Sequence, residues 1–459
     1  MKVLVCGATG CVGRATVKAL RSRGHQVIEG SRGAQDTPRS LPLDYMQPVS
    51  PAEWAQTLQR HRVEAVVNCV GILMPSREQT FERVHSDGPI ELFRGAALAG
   101  VQCVVQVSAL GVSAEAHSLA RPYLASKLRA DDALASLGLS GWSVLRPSLV
   151  YGPHSQSGAM FATLASLPLI ALPGRGEQPV QPVHVFEVAE AVSRLVEGRA
   201  PRNQVFEMGG ASEMTYRSML HTYRDALRRG PALWLPLPMA LMQLTAWVAE
   251  ALPQKVLCRD TIALLDQGSV PAHNATALLL GREPSALAQG LQVSPPQPVI
   301  DLRVEISPAI DSVLRFTLAA MWIYVALISV VWPTDSGVVN LLAQCGLTGP
   351  LGTAALAFSC TLNLGLGWSV WRRPGPWVYA LQVGAVLGYS LTAALAMPAL
   401  VIDHCGPLLK NLPVLGVIAV LWLSGSAKRT PARRAFSGAT SAFSGGSRPG
   451  QICSNLLPK

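Results

Sequence analysis

The segment 1–13 places the strongest constraint on what this chain can fold into. Residues 3–6 form an apolar run typical of a buried strand, and Gly7, Gly10 and Gly13 follow it ahead of a helical segment over 14–21. A strand that turns sharply into a helix presents free backbone N–H groups and the helix dipole to a pyrophosphate. Glycines keep such a turn tight and let a phosphate approach the backbone. The pattern predicts nucleotide binding, and an ordinary glycine turn is the alternative.

A second strand is expected over 25–29, and it leads to Arg32, at about 20 residues from the glycine turn. At this distance an acidic residue binds the ribose hydroxyls, whereas an arginine accommodates a 2′-phosphate. Arg32 therefore favours NADP over NAD, and a solvated surface arginine is the other interpretation. Asp44 follows a third expected strand, where it is placed to contact the adenine.

Further β-rich runs over 65–70 and 101–107 alternate with helical segments, which predicts a doubly wound parallel sheet of the Rossmann type. Ligands of such sheets bind beyond the carboxyl ends of the strands. Gly7, Gly71 and Ser108 all follow expected strands at such ends. The expected fold of residues 1–300 is therefore α/β, with a smaller substrate lobe over about 150–300.

Tyr123 and Lys127 open a helical segment that follows the strand-end Ser108 in the chain. Residues four apart share one face of a helix. The pKa of a tyrosine, ordinarily about 10, is too high for proton exchange at neutral pH, and a nearby ammonium group lowers it. With Ser108 bonded to a substrate oxygen, this set suits proton transfer coupled to hydride transfer. A solvated helix face is the alternative interpretation of the Tyr–Lys pair.

Several motifs together resemble the short-chain dehydrogenase/reductase superfamily, which includes the NAD-dependent epimerases and dehydratases. They are the glycine turn at 7–13, the segments 68–71 and 145–153, Ser108, and the pair Tyr123 and Lys127. Residues 181–185 and the helix expected over 187–196 are similar to the branch that contains the accessory NAD(P)-binding subunit of respiratory complex I. The resemblance covers about residues 1–300.

The resemblance implies roles for individual residues. It makes Tyr123 the acid/base, Lys127 its partner and Ser108 the orienting hydroxyl. The cofactor contacts that it implies are Gly7, Thr9, Gly10, Cys11, Val12, Gly13, Arg32, Asp44, Asn68, Gly71, Lys127 and Pro147. No metal is expected. Sugar-nucleotide chemistry is disfavoured, because the interval from Ser108 to Tyr123 is short and two apolar residues, not acids, follow Ser108.

The C-terminal third is expected to be an all-α membrane domain over 301–427. Residues 316–334, 336–371 and 374–402 contain no charged residue, and 408–424 is apolar apart from Lys410. A membrane-spanning helix needs about 20 such residues. The expected spans lie near 313–332, 351–371, 377–397 and 408–424. The helix arrangement and the segments 346–350, 406–407 and 410–413 resemble the DoxX-like membrane family.

The distribution of basic residues predicts the orientation of these spans. Loops 333–350 and 398–407 contain no lysine or arginine, whereas Arg372, Arg373 and the tail over 428–459 are basic. Positive charge marks the cytoplasmic side. We therefore expect a bacterial-type inner or plasma membrane protein whose N-terminal domain and disordered C-terminal tail are cytoplasmic.

The net charge of +10 does not indicate nucleic-acid binding, because much of it comes from the tail over 428–459, which is basic and contains no acid. The nine cysteines form no C-x-x-C pair, which favours free thiols in a reducing compartment. Residues 231–248 are apolar but broken by prolines, and they predict either a membrane-surface segment or a core helix of the substrate lobe.

Two functions are consistent with the sequence. The first is a membrane-anchored NAD(P)-dependent oxidoreductase that acts on a lipophilic carbonyl or quinone-like substrate. The alternative is a non-catalytic NADP-binding scaffold, assembly or redox-sensing subunit with a membrane protein partner.

Overall fold

The structure is a computed structural model that describes residues 1–76, 78–112, 122–242, 264–299, 306–333, 337–372, 375–398 and 409–425. Its strands are β1 Lys2–Cys6, β2 Gln26–Ser31, β3 Ser40–Pro42, β4 Ala65–Asn68, β5 Cys103–Val107, β6 Trp142–Pro147, β7 Val150–Tyr151, β8 Leu169–Pro173, β9 Pro179–Val180, β10 Val183–His184, β11 Gln204–Met208, β12 Met214–Thr215 and β13 Leu233–Leu237.

The helices of the described residues are α1 Cys11–Ser22, α2 Pro51–Arg60, α3 Gly88–Ala99, α4 Pro122–Ser136, α5 Gln156–Ser166, α6 Val185–Val196, α7 Tyr216–Ala226, α8 Thr276–Leu280, α9 Leu287–Val293, α10 Pro308–Val331, α11 Val338–Gln344, α12 Gly349–Arg372, α13 Pro376–Ala396 and α14 Asn411–Gly425. A π-helix, Glu82–Asp87, immediately precedes α3.

Seven strands form one parallel sheet in the order β11–β6–β5–β4–β1–β2–β3. Cys6, the last residue of β1, pairs with Gly30 in β2 and with Asn68 in β4, so these strands end at the same level. The strand order reverses at β1, which places the binding crevice of a doubly wound fold beyond this end. The predicted Rossmann-type sheet is confirmed.

Helices cover both faces of the sheet, and β1 shows how its sequence serves both layers. Val3 and Val5 pack into the core under α1 and α6, whereas Leu4 and Cys6 pack into the core under α2 and α3. Successive side chains of a strand point to opposite faces, so a strand between two layers must be apolar throughout. This requirement explains the uninterrupted apolar run that opens the chain.

Among the described strands, three two-stranded sheets lie outside the large sheet, and they pair β7 with β10, β9 with β12, and β8 with β13. Their core includes Phe161, Tyr216, Tyr223 and Leu287. Within 231–248, where the sequence predicts a core helix or a membrane-surface segment, residues 233–237 form the strand β13. Positions 243–248 of that segment lie outside the described residues.

Within the part of the chain that the structure describes, three helices, α10, α12 and α13, are long and apolar enough to cross a membrane. Their bounds fall within a few residues of the first three expected spans. The last helix, α14, has 15 residues, fewer than a full span needs. Residue 408, at which the fourth expected span begins, and the basic tail lie outside the described residues, and the fourth span stays a prediction.

Polar side chains join these helices from inside the bundle. The indole Nε1 of Trp322 in α10 donates a hydrogen bond of 2.9 Å to Oε1 of Gln382 in α13, and both residues are buried. The hydroxyl of Tyr389 in α13 donates to Oδ1 of Asn363 in α12 at 3.2 Å. Large apolar side chains face outward, including Leu395, which is three-quarters exposed. Polar side chains that are hydrogen-bonded inside the bundle, with apolar side chains facing outward, are typical of helices surrounded by lipid.

Candidate active site

The turn between β1 and α1 has room only for glycine at two positions. Gly7 has φ +74°, in the left-handed region that favours glycine. A Cβ atom on Gly13 would overlap the carbonyl oxygen of Gly7. The backbone amides of Gly7 and Ala8 donate to the carbonyl of Gly30 at 2.9 and 3.1 Å, which fixes the turn against β2.

The N-terminus of α1 lies open at the end of this turn. Gly10 is the N-cap and supplies no capping side chain, so the first amides of the helix, on Cys11 and Val12, suit an anionic ligand. Burial raises the pKa of Cys11 to about 11, so this thiol adds no negative charge beside the turn at neutral pH. The exposed Thr9 accepts a hydrogen bond of 2.7 Å from Arg14 through its carbonyl.

Arg32 and Asp44 follow neighbouring strands at the same edge of the sheet as the glycine turn. Arg32 is exposed and comes directly after β2. Asp44 comes after β3, and its Oδ1 accepts the backbone N–H of Met46 at 3.1 Å. Both lie on the side of β1 where the adenosine half of a dinucleotide binds in this kind of fold.

Asn68, predicted to contact the cofactor, is completely buried at the end of β4. Its Nδ2 donates to Oε1 of Gln106 at 2.7 Å, and its Oδ1 accepts from the hydroxyl of Tyr45 at 3.0 Å. The amide therefore ties β4 to β5 and to the segment after β3. Contact between Asn68 and a cofactor stays a prediction.

Gly71 connects the glycine turn to the Tyr–Lys pair. A Cβ atom on Gly7 would lie 3.1 Å from Val70, so the turn packs on the residues just before Gly71. A Cβ atom on Gly71 would lie 3.6 Å from Nζ of Lys127 and 3.7 Å from Nε2 of His85. The structure thus brings Lys127 to the carboxyl end of β4, beside the expected nucleotide site.

Tyr123 and Lys127 both lie on the buried face of α4, with 8% and 4% of their surfaces exposed. Nζ of Lys127 is 5.7 Å from the centre of the Tyr123 ring. Burial lowers the pKa of Lys127 to about 8, although Asp131 and Cys69 oppose this shift.

The pKa of Tyr123 differs from the sequence-based expectation. We expected Lys127 to lower it, but burial raises the pKa of Tyr123 above its usual value. The cause is geometric, because the ammonium faces the phenol ring while the side chain is surrounded by Phe81, Leu124 and Leu128. At neutral pH the phenol is therefore held in its protonated form.

Ser108, the expected orienting hydroxyl, is bonded within the protein. Its Oγ donates to Oδ2 of Asp131 at 2.9 Å, and the same oxygen accepts Nε and a terminal nitrogen of Arg146 at 3.1 and 3.0 Å. Arg146 also opposes the burial that raises the pKa of Asp131. The hydroxyl hydrogen of Ser108 thus points to a buried ion pair, and lone pairs of its oxygen remain to accept a bond.

Asp131 was not predicted as a site residue, although two features of the sequence point to it. It lies four residues after Lys127, on the same face of α4. Its partner Arg146 belongs to the segment 145–153 that carries the family resemblance.

His85 is a second site residue that was not predicted from the sequence. It belongs to the π-helix, a geometry frequent at functional sites. Its Nε2 accepts the backbone N–H of Ile72 at 3.0 Å, and Nδ1 is 3.1 Å from Oγ of Ser126, whose own hydroxyl donates to the carbonyl of Tyr123. These partners assign a neutral ring protonated on Nδ1. Burial, and then Lys127, lower the pKa of His85 to about 2.

Pro147 ends β6 at the same edge of the sheet. Its carbonyl accepts the backbone N–H of Leu110 at 3.0 Å, and the amide of Ser108 donates to the carbonyl of Leu145 at 2.7 Å. These bonds hold the segment after β5 against β6. Among the described residues, no three His, Cys, Asp or Glu side chains converge as a metal site requires, and the six described cysteines are unpaired.

Two family descriptions match the chain. Residues 3–209 match the NAD dependent epimerase/dehydratase family, and residues 319–419 match the DoxX-like family. The second match and the three apolar helices support association with a membrane.

Two curated relatives match the N-terminal part. The chain is 30% identical over 250 residues to NADH dehydrogenase (ubiquinone) 1 alpha subcomplex subunit 9, mitochondrial, of Arabidopsis thaliana, in a match that covers 51% of this chain and 60% of the relative. It is 23% identical over 218 residues to the NADH-ubiquinone oxidoreductase 40 kDa subunit, mitochondrial, of Neurospora crassa, with coverage of 46% and 56%. The chain thus spans less than two thirds of either relative.

Among solved structures, MoeE5 in complex with UDP-glucose and NAD superimposes with a TM-score of 0.48 at 18% identity, covering 64% of this chain and 97% of the other. The match of residues 3–209 to a family described as NAD dependent supports binding of NAD(H) by this domain. The chain therefore joins an N-terminal domain that matches the NAD dependent epimerase/dehydratase family to a C-terminal domain that matches the DoxX-like family.

Proposed function

We propose that the N-terminal domain is an NAD(P)-dependent oxidoreductase of the short-chain dehydrogenase type, held at a membrane by the C-terminal helices. The observation that carries the proposal is the meeting of two features at one edge of the sheet. The glycine turn packs on the residues before Gly71, and Lys127, with Tyr123 beside it, reaches Gly71 from α4. A cofactor seated on the turn would extend toward a proton donor.

The residues present fit a dinucleotide. The turn has room only for glycine at Gly7 and Gly13, and α1 begins without a capping side chain, so its first amides can hold the pyrophosphate. The exposed guanidinium of Arg32 after β2 supports the finer proposal that NADP is preferred, because a 2′-phosphate needs a positive partner there.

The bound nicotinamide would supply the hydride to a carbonyl carbon. Tyr123 then donates its hydroxyl proton to the carbonyl oxygen, since its raised pKa keeps the phenol protonated before the reaction. Lys127 stabilises the phenolate that remains, and the buried pair of Asp131 and Arg146 holds Ser108 in place. A protonated phenol favours carbonyl reduction over alcohol oxidation.

The C-terminal helices motivate the substrate class. An enzyme tethered to a bilayer is close to molecules dissolved in it, so we propose a lipophilic carbonyl or quinone-like substrate. We also propose that the N-terminal domain lies in the cytoplasm of a bacterial-type cell, because the basic residues are concentrated in the loop and tail expected on that side.

Cofactor binding and turnover test the proposal in separate steps. The detergent-solubilised chain is titrated with NADPH and with NADH while cofactor fluorescence is followed, and NADPH should bind more tightly. Tyr123→Phe should retain this binding and lose hydride transfer to lipophilic carbonyls and quinones by at least about a hundredfold. Equal turnover in Tyr123→Phe would refute the role of Tyr123.

A non-catalytic function is the second candidate, and the bonding of Ser108 favours it. The hydroxyl hydrogen of Ser108 is directed to Asp131 and not outward to a substrate. The two curated relatives are named as complex I subunits, which fits a scaffold, assembly or redox-sensing subunit with a membrane protein partner. This function predicts tight cofactor binding, no turnover with any carbonyl or quinone, and a partner that copurifies.

A further inference from the structure

A groove lies between α12 and α13 on the surface of the membrane helices. Its volume is about 350 Å³, within the range of sites for small molecules. Its walls are almost entirely apolar, and they include Phe358, Leu362, Gly365, Val378 and Leu381. The hydroxyl of Thr361, which also lines it, donates to the carbonyl of Ala357 in its own helix. The groove therefore offers a ligand apolar contact.

The length of the groove matches one leaflet of a bilayer. Its α12 wall runs from Phe358 to Ser369, which is about 16 Å at the helical rise of about 1.5 Å per residue, and Val378 and Leu381 of α13 line one turn of the opposite wall. The hydrocarbon core of a bilayer is about 30 Å thick, so the groove reaches from one interface to about the midplane. An acyl chain of one leaflet has this reach.

A positive charge stands at the interfacial end of the groove. Arg372 is exposed one turn beyond Ser369, and its guanidinium carbon lies 5.0 Å from the ring centre of Trp368. Arginine and tryptophan are the residues that anchor helices at the headgroup level. An arginine also pairs well with a phosphate group.

We propose that this groove is a binding site for one anionic phospholipid, with an acyl chain along Gly365 and the headgroup phosphate on Arg372. Gly365 shows the space that the chain would fill, because a Cβ atom there meets no atom within 4 Å. Both anionic and zwitterionic phospholipids carry this phosphate, and the positive charge of Arg372 favours the anionic headgroup because it repels the cationic group of a zwitterionic one. The site is independent of the oxidoreductase chemistry proposed for the N-terminal domain.

Native mass spectrometry of the full-length chain from nanodiscs that contain phosphatidylglycerol and phosphatidylcholine in equal amounts tests the site. The natural chain should retain one phosphatidylglycerol after detergent washing. Gly365→Leu fills the groove and should reduce this retention about tenfold, which is about 1.4 kcal/mol. Gly384→Leu is the matched control, because its Cβ also meets open space but lies outside the groove. It should retain the lipid as the natural chain does.

Arg372→Gln tests the headgroup contact separately. It should remove the preference for phosphatidylglycerol over phosphatidylcholine and leave an acyl chain in the groove. Equal retention in the Gly365→Leu and Gly384→Leu chains would overturn the groove as the site. An unchanged preference in Arg372→Gln, or retention of phosphatidylcholine alone by the natural chain, would overturn the anionic ligand.

Discussion

Lys127 is a buried amine that must be charged to stabilise a Tyr123 phenolate. Burial lowers its pKa to about 8, so we expect the rate of carbonyl reduction to fall as the pH rises through about 8. Lys127→Arg keeps its charge to higher pH and should move this fall upward by at least about one pH unit. The measurement is the pH profile of kcat/KM with NADPH.

The pH dependence of the free energy of unfolding tests the lowered pKa of Lys127 independently of activity. From pH 8 to its ordinary pKa of 10.5, Lys127 has released its proton in the folded chain and would hold it in the unfolded chain. The free energy of unfolding should therefore rise with pH across this range, and Lys127→Met should abolish that rise. Lys18→Met, at an exposed lysine, is the control and should retain it. An identical pH dependence in the Lys127→Met chain would contradict the assignment.

His85 should make the domain sensitive to acid. Its pKa is about 2 in the folded chain and ordinarily 6.5, so the unfolded chain takes up a proton first as the pH falls below 6.5. This linkage lowers the free energy of unfolding by about 1.4 kcal/mol per pH unit. His85→Gln, which does not titrate, should lose less stability between pH 6.5 and 4.5, measured as the shift of Tm for the full-length chain.

The exposed His221, which stacks on Trp234, provides the matched control for His85. His221→Gln should keep the acid sensitivity of the natural chain. If the His85→Gln and His221→Gln chains lose stability equally on acidification, the buried neutral state of His85 is wrong.

At the scale of the element, the β1–turn–α1 unit depends on the absence of a Cβ atom at Gly13. Gly13→Ala would force the start of α1 away from Gly7, at a cost of about 1–3 kcal/mol. We expect cofactor affinity to fall at least about tenfold, measured by the fluorescence titration. Gly33→Ala, where a Cβ atom meets nothing within 4 Å, should bind as the natural chain does. Equal affinities in the two variants would place the cofactor elsewhere.

Elements were predictable where local pattern decides them. The opening strand and glycine turn, the parallel sheet and the first three apolar helices follow from runs of apolar residues and their punctuation. The strand β13 did not follow, because its apolar residues and prolines suit several structures, and its pairing with β8, which lies far earlier in the chain, selects one.

The candidate site likewise contains residues that local spacing predicts and residues whose roles depend on the fold. The Tyr–Lys spacing on α4 is local and was predicted, together with Gly7, Gly71 and Ser108 at strand ends. The roles of His85 and Asp131 depend on partners brought together by the fold, Ile72 and Ser126 for one, Ser108 and Arg146 for the other. No spacing rule predicts that Ser108 donates a hydrogen bond to an ion pair, or that the fold buries Tyr123 away from water.

At the scale of the whole molecule, labelling of Cys345 tests the expected orientation of the membrane helices. This exposed thiol follows α11, in the loop expected on the side opposite the N-terminal domain. In a chain with Cys405→Ser and Cys453→Ser, a membrane-impermeant maleimide should label Cys345 in intact cells. Adding Cys345→Ser should abolish this labelling, and the described cysteines of the N-terminal domain, which are buried or half-buried, should react only after lysis in denaturant. If Cys345 were labelled only after lysis, its loop would lie on the cytoplasmic side and the expected topology would be wrong.

The hydrogen bond between Trp322 and Gln382 has a mechanical consequence for the membrane helices. If α10 slid along α13 by one turn, about 5.4 Å, both groups would lose their partner within hydrocarbon, at a cost of several kcal/mol. The bond therefore fixes the register of α10 relative to α13. Sliding of α10 along α13 is thereby disfavoured, and we expect these two helices to tilt or shift together.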